Sequence, residues 1–204
     1  LSGHGVMFDV AFSPDGQRIL SNSQEAIQIW DFSNGKEVMT LWKGYDLAQG
    51  WRPSCYSPDG KYIATGGRKE IKIWNAITGA EIMTIRGHAG PIVSIAFSPE
   101  SERLSSCSFD GTIKIWDVAT GENIRTLHGH QGTVSYVAFT PNGDQLVSGG
   151  CDGTIKVWDA TIDRETARLI GRHHYVNSVA FSPDGNHILT GNFHGTAKIW
   201  SVRT

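Results

Sequence analysis

His88, Ser106 and Asp110 are the three residue types of a Ser-His-Asp triad, and His130, Ser148 and Asp152 repeat them 42 residues further on. In a hydrolase the histidine takes the serine proton as the oxygen attacks an acyl carbon, while the carboxylate orients the imidazole. That chemistry also requires an exposed serine and an oxyanion hole, and no G-x-S-x-G turn is present to supply the first. A second reading uses the same residues together with Trp116 and Trp158, which follow each set. Buried polar groups must be paired, and a connected His, Asp, Ser and indole N–H network satisfies all four at once. The structural network is the stronger reading, so no catalytic residue and no enzyme activity are assigned.

The spacing that generates both sets runs through the whole chain. Gly129 to Asp159 reads GHQGTVSYVAFTPNGDQLVSGGCDGTIKVWD, and 42 residues separate His130 from His88, Trp158 from Trp116, and Trp200 from Trp158. Five copies open at Gly3, Gly44, Gly87, Gly129 and Gly171, giving repeats 3–43, 44–86, 87–128, 129–170 and 171–204. Self-similarity at such a period signals a stacked or circular architecture. The Gly-His openings and Trp-Asp endings resemble the WD-repeat family of β-propellers along the entire chain. The resemblance implies an all-β ring of four-stranded antiparallel blades, with one His-Ser-Asp-Trp network inside each regular blade.

The third repeat shows how one unit is built. Ile92 to Phe97 is β-rich, Ser98 to Ser101 is a turn, Leu104 to Ser108 is the next strand, and Asp110-Gly111 makes a tight hairpin. Thr112 to Trp116 alternates apolar and polar residues at the period of a strand, and Asn123 to Leu127 supplies the fourth. Pro14, Pro58, Pro99, Pro141 and Pro183 recur in the first turn, where a fixed φ suits position i+1 and no ladder N–H is lost. The Ser-Pro-Asp-Gly turns then lie at the bottom of the blades, and the Gly-His entries and Asp-Gly hairpins share the top.

The other repeats depart from this pattern. The first lacks the turn Asp; the second has Tyr45 for His, Asn75 after Trp74, and a longer entry flanked by Trp42 and Trp51. The fifth has Arg172 and His194 at the His and Asp positions and stops after its third strand. In the resembled family the missing strand typically comes from the other terminus, but only Leu1 and Ser2 precede the first Gly-His. A single domain over residues 1–204 is expected, completed by further blades of a larger ring or by another chain, with self-association at the open edge as one route.

Composition narrows the function. Charged residues are 19% of the chain and the net charge is −2, so no field draws it to nucleic acid. No apolar run has the length of a membrane helix. Three scattered cysteines, Cys55, Cys107 and Cys151, suit a reducing compartment and give a cytoplasmic expectation. The missing initiator Met and the immediate start of a repeat point to cleavage, or to excision from a longer chain. His173, His174 and His194 have no recognised ligand spacing and fit a solvated loop, so neither a metal nor a cofactor is assigned.

Function is expected on the top face, where loops vary on a rigid frame. Register places Tyr45, Trp51 and Arg52, Arg68, Phe109, Tyr136, Cys151, His174 and Tyr175, and Phe193 there. Aromatic residues and Arg are frequent interface anchors. A non-catalytic platform for a protein or peptide is the leading expectation. The alternatives are an aromatic cage for cationic side chains, which needs three of these rings to converge, and a scaffold or sensory segment of a larger enzyme.

Overall fold

The computed structural model describes residues 6–44, 53–161, 164–170, 175–192 and 195–201, with 164–170 described by backbone alone. All regular structure among them is β-strand. The first sheet is β1 (Met7–Phe12), β2 (Arg18–Ser23), β3 (Ala26–Asp31) and β4 (Glu37–Lys43). The second is β5 (Ser54–Tyr56), β6 (Tyr62–Gly66), β7 (Glu70–Asn75) and β8 (Glu81–Arg86). The third is β9 (Ile92–Phe97), β10 (Arg103–Ser108), β11 (Ile113–Asp117) and β12 (Asn123–Leu127). The fourth is β13 (Val134–Phe139), β14 (Gln145–Gly150), β15 (Thr154–Asp159) and β16 (Arg164–Ile170). The fifth has three strands, β17 (Val176–Phe181), β18 (His187–Asn192) and β19 (Ala197–Ser201).

Within each sheet the strands pair antiparallel in chain order, and the first strands β1, β5, β9, β13 and β17 are successive neighbours. The expected strands of the third repeat are present, with one shift. Thr112 lies just before β11, and its N–H and hydroxyl both donate to Asp110 Oδ1, at 2.9 and 2.6 Å, which holds the hairpin.

The core lies between sheets. Leu20, Ile27 and Ile29 of the first blade pack on Ile63, Trp74 and Ala76 of the second. The same stacking joins Ala64, Ile71 and Ile73 to Leu104 and Trp116, and then Ile113 and Ile115 to Leu146 and Trp158. Each blade therefore buries one face on the next, and truncating one of these isoleucines to Ala would cost about 2–5 kcal/mol. Val147 and Val157 carry the pattern onto Ile188 and Trp200. Their register equivalents in the fifth blade, Leu189 and Ile199, are 48% and 73% exposed, so that apolar face is open.

The bottom turns need a left-handed residue, supplied by Gly16, Gly60, Gly143 and Gly185 in four blades. In the third blade Ser101 takes that place at φ 65°, a conformation that costs a non-glycine residue about 1–2 kcal/mol. The compensation is a bond between blades: Ser101 Oγ accepts from the Asp59 N–H of the second blade at 3.1 Å. Ser101→Gly removes both strain and bond and should change stability by less than about 1 kcal/mol. Ser101→Ala keeps the strain and orphans the N–H, and should cost about 1–2 kcal/mol in urea denaturation. The opposite order would show that the positive φ carries no penalty at this turn.

Candidate functional site

The paired triad-like sets are hydrogen-bonded chains with the serine at the centre. In the third blade Asp110 Oδ2 accepts from His88 Nδ1–H at 2.8 Å. An ionised carboxylate can only accept, so Nδ1 carries the proton, and Nε2 accepts from Ser106 Oγ–H at 2.8 Å. Ser106 Oγ in turn accepts the Trp116 indole N–H at 2.8 Å. The fourth blade repeats the chain: His130 Nδ1 to Asp152 at 3.0 Å, His130 Nε2 to Ser148 at 2.7 Å, and Trp158 to Ser148 at 2.8 Å. Ser106 and Ser148 are both fully buried, their oxygens closed between imidazole and indole. A substrate carbonyl has no path to either.

The carboxylates also clamp the blade entries, Asp110 accepting from Ala89 N–H and Asp152 from Gln131 N–H, each at 2.8 Å. Burial acts to raise both acids. Hydrogen bonds from Thr112, His88 and Ala89 outweigh it at Asp110, and those from Gln131 and Thr154 with the electrostatic pull of the His130 ring outweigh it at Asp152; both sit at about 2. Burial lowers the pKa of His88, against the opposing pull of Asp110.

The remaining blades keep only part of the chain. Trp30 donates to Ser21 at 2.7 Å, Trp74 to Thr65 at 2.9 Å and Trp200 to Thr190 at 3.0 Å. The first hairpin replaces the missing Asp with Ser23, whose hydroxyl accepts from the N–H groups of Glu25 and Ala26.

On the top face, Phe109, Cys151 and Tyr175 come together in one pocket of about 370 Å³. Its floor is Val93, Ser135 and Asn177, which hold the same register position on β9, β13 and β17. Its walls are Phe109 and Cys151 from the hairpins, and Thr133 and Tyr175 from the entries of the fourth and fifth blades. Ser135 Oγ and Cys151 Sγ are 3.5 Å apart. Phe109 and Tyr175 are each 47% exposed, standing as two aromatic rims around a surface without a charged side chain. The site thus spans three blades at equivalent positions, a convergence that one-dimensional register does not display; Val93, Thr133, Ser135 and Asn177 were not singled out by sequence.

Other expected top-face residues lie elsewhere. Tyr136 is within β13, opposite Gly149, and its ring packs on the cluster between the fourth and fifth blades, where burial raises its phenol pKa. It does not line the pocket, and its ring fills the blade junction instead. Arg68 is exposed in the turn between β6 and β7, away from the pocket. Tyr45, Trp51, Arg52, His174 and Phe193 lie outside the described residues, as do His4, Arg172, His173 and His194. Among the described residues no group of three or more His, Cys, Asp or Glu could hold a metal ion.

Repeating four-stranded sheets stacked face to face around successive inner strands, with His-Ser-Asp-Trp chains inside two of them, define a propeller of WD type. A family model described as the IFT122 first beta-propeller matches residues 52–204, and one described as WD domain, G-beta repeat, matches residues 1–31. The first covers well over half of the chain, and the chain belongs to the WD-repeat β-propeller family, with an incomplete last blade among its described residues. No curated protein matches it. Domains of this family are generally protein-interaction scaffolds and typically not enzymes.

The network makes stability depend on acid in two stages. Below about pH 6.5 the unfolded chain protonates a histidine that folded His88 keeps neutral, so stability falls first there. Between about pH 4 and 2 the unfolded chain protonates carboxylates that Asp110 and Asp152 hold ionised, and stability falls again. Urea unfolding at stepped pH should show that the Asp110→Asn, Asp152→Asn double variant loses less over the second window than the parent chain. Parallel curves for the two would remove the carboxylates from this role.

Proposed function

We propose that this chain is a non-catalytic interaction platform that seats an apolar side chain of a partner peptide in the top-face pocket between Phe109 and Tyr175. The observation that carries this reading is the pocket itself: concave, apolar, edged by two exposed rings and spanning three blades, two of which hold complete networks. A volume of about 370 Å³ accommodates a large aliphatic or aromatic side chain. Because its floor stands on the strands β9, β13 and β17, little conformational entropy is lost when a guest enters, and a few anchors suffice.

The cation-cage alternative draws less support. It needs three rings, and the described residues supply two, without a carboxylate among the pocket residues to offset a guest's charge. Placement within a larger assembly is favoured by the open face at Leu189 and Ile199 and by the match to a propeller described as a first one. A reducing, cytoplasmic setting agrees with three free cysteines, of which burial pushes the Cys55 thiol up to about 12.

The test is selection of peptides from a random library on the intact chain, followed by fluorescence polarisation against variants. Phe109→Ala and Tyr175→Ala should each weaken the selected peptides at least roughly tenfold, as expected for central aromatic anchors, with the melting temperature unchanged because both side chains are half exposed. Selected peptides that bind the double variant as tightly as the parent would place the interaction surface elsewhere.

A further inference from the structure

The bottom face holds a second pocket, at the junction of the first and second blades, and its chemistry is clearest beside the equivalent junction of the third and fourth. There Arg103 lies over the Phe139 ring at 5.3 Å, its Nε donates to Glu100 Oε1 at 2.6 Å, and its Nη2 donates to the Gly143 carbonyl at 2.8 Å. That junction is full: a Cβ placed on Gly143 would lie 2.9 Å from Glu100 Oε2 and 3.2 Å from Arg103 Nη2.

In the same register at the first junction stand Arg18, Asp15, Tyr56 and Gly60. Asp15 is one methylene shorter than Glu100, and its Oδ1 accepts from Ser13 Oγ and Gln17 N–H instead. Arg18 Nη1 donates to the Ala76 carbonyl at 3.2 Å, and the guanidinium forms no ion pair among the described residues. A Cβ on Gly60 would meet nothing nearer than Pro14, at 4.0 Å. A pocket of about 350 Å³ opens there, with Arg18, Tyr56, Asp15 and Asp59 in its walls.

Tyr56 lines the same pocket. It occupies the position at which the other four blades carry Phe12, Phe97, Phe139 and Phe181, each paired with the apolar residue next to the second-strand turn. Its added hydroxyl oxygen is buried and has no hydrogen-bond partner among the described residues. Burial, the dominant influence, pushes the phenol up to about 12, so it remains an O–H donor. A guanidinium that forms no ion pair among the described residues and spends Nη1 on the Ala76 carbonyl, together with an unpaired phenol in the same pocket, leaves donors for one further acceptor.

We propose that this bottom pocket binds a carboxylate side chain of an acidic partner segment, which pairs with Arg18 as Glu100 pairs with Arg103 and accepts a second hydrogen bond from Tyr56. The surroundings limit a guest to one negative charge at most, since Arg18 also acts on Asp15 and Asp31. Lys61 pairs with Asp59 at 3.0 Å, and Arg18 faces Asp31 in the ladder just as Arg103 faces Asp117. Asp15 and Asp59 disfavour a multivalent free anion such as phosphate at the same place. The site is on the face opposite the Phe109–Tyr175 pocket and does not depend on that reading.

The probes are the peptides acetyl-Gly-Glu-Gly-amide and acetyl-Gly-Gln-Gly-amide, titrated into the intact isotope-labelled chain with the Arg18 side-chain N–H and Tyr56 ring resonances followed by NMR. The Glu peptide should give saturable shifts at both groups and the Gln peptide should not. Arg18→Gln should abolish the response, and Tyr56→Phe should weaken it roughly fivefold, the loss expected for one hydrogen bond. Both substitutions install residues that other blades already hold in this register, Gln145 and the four phenylalanines, so the fold is retained. No saturable shift, an equal response to the Gln peptide, an unchanged affinity in Arg18→Gln, or a stronger response to inorganic phosphate would each overturn the proposal.

Discussion

One hydrogen bond recurs in every blade: an indole N–H on the third strand donates to a hydroxyl on the second, at 2.7 to 3.0 Å, from Trp30, Trp74, Trp116, Trp158 and Trp200. A tryptophan brings the largest apolar surface available to the interface between blades, but it also brings a donor that cannot be left unpaired in a core. Pairing that donor inside its own blade fixes the ring orientation without drawing on the neighbour. Each blade can then offer the next a purely apolar face, as Trp74 does to Ile27 and Ile29, and Trp116 to Ile71 and Ile73.

The histidine and aspartate of the third and fourth blades extend this bond outward. Serine has one proton; having accepted the indole N–H it must donate, and the neutral imidazole is the acceptor. The carboxylate then pairs the far side of the imidazole and reaches the entry backbone, coupling the buried tryptophan to the top surface. In the second blade threonine ends the chain one step in, and its hairpin is free to carry the exposed Arg68 in place of the clamp. A graded network therefore lets the core stay uniform while the loops above it differ.

Most of the fold was legible because repetition multiplies weak signals. Turn prolines, alternating strands and third-strand tryptophans mark the same boundaries in each copy, and the ladder register follows them from Arg18–Asp31 to Gln145–Asp159. The network partners were legible too, since buried polar types at fixed offsets have few ways to be satisfied. The candidate site was legible only in part. Register put Phe109, Cys151 and Tyr175 on the top, but their meeting with Val93, Ser135 and Asn177 depends on how three sheets fan around the inner strands. Tyr136, expected at a blade entry, lies within β13 beside a register shift, and its ring packs at the blade junction. The hydroxyl of Tyr56 was visible in the sequence as a Tyr in a Phe column, yet its significance required knowing that no neighbour accepts from it.

The two pockets show how a repeat protein acquires difference without losing its frame. Equivalent positions that face neighbouring blades remain apolar and interchangeable, because a buried mismatch there costs about 2–5 kcal/mol. Positions that face the channel mouth or the turn cleft carry no such penalty: Val93 becomes Ser135 and then Asn177, Phe109 becomes Cys151, and Glu100 shortens to Asp15. At the top the substitutions vary size and polarity without introducing charge; at the bottom the lost methylene and the gained hydroxyl leave donors without an acceptor. Both follow from a single rule, that a side chain not needed to hold its neighbour blade is available to hold something else.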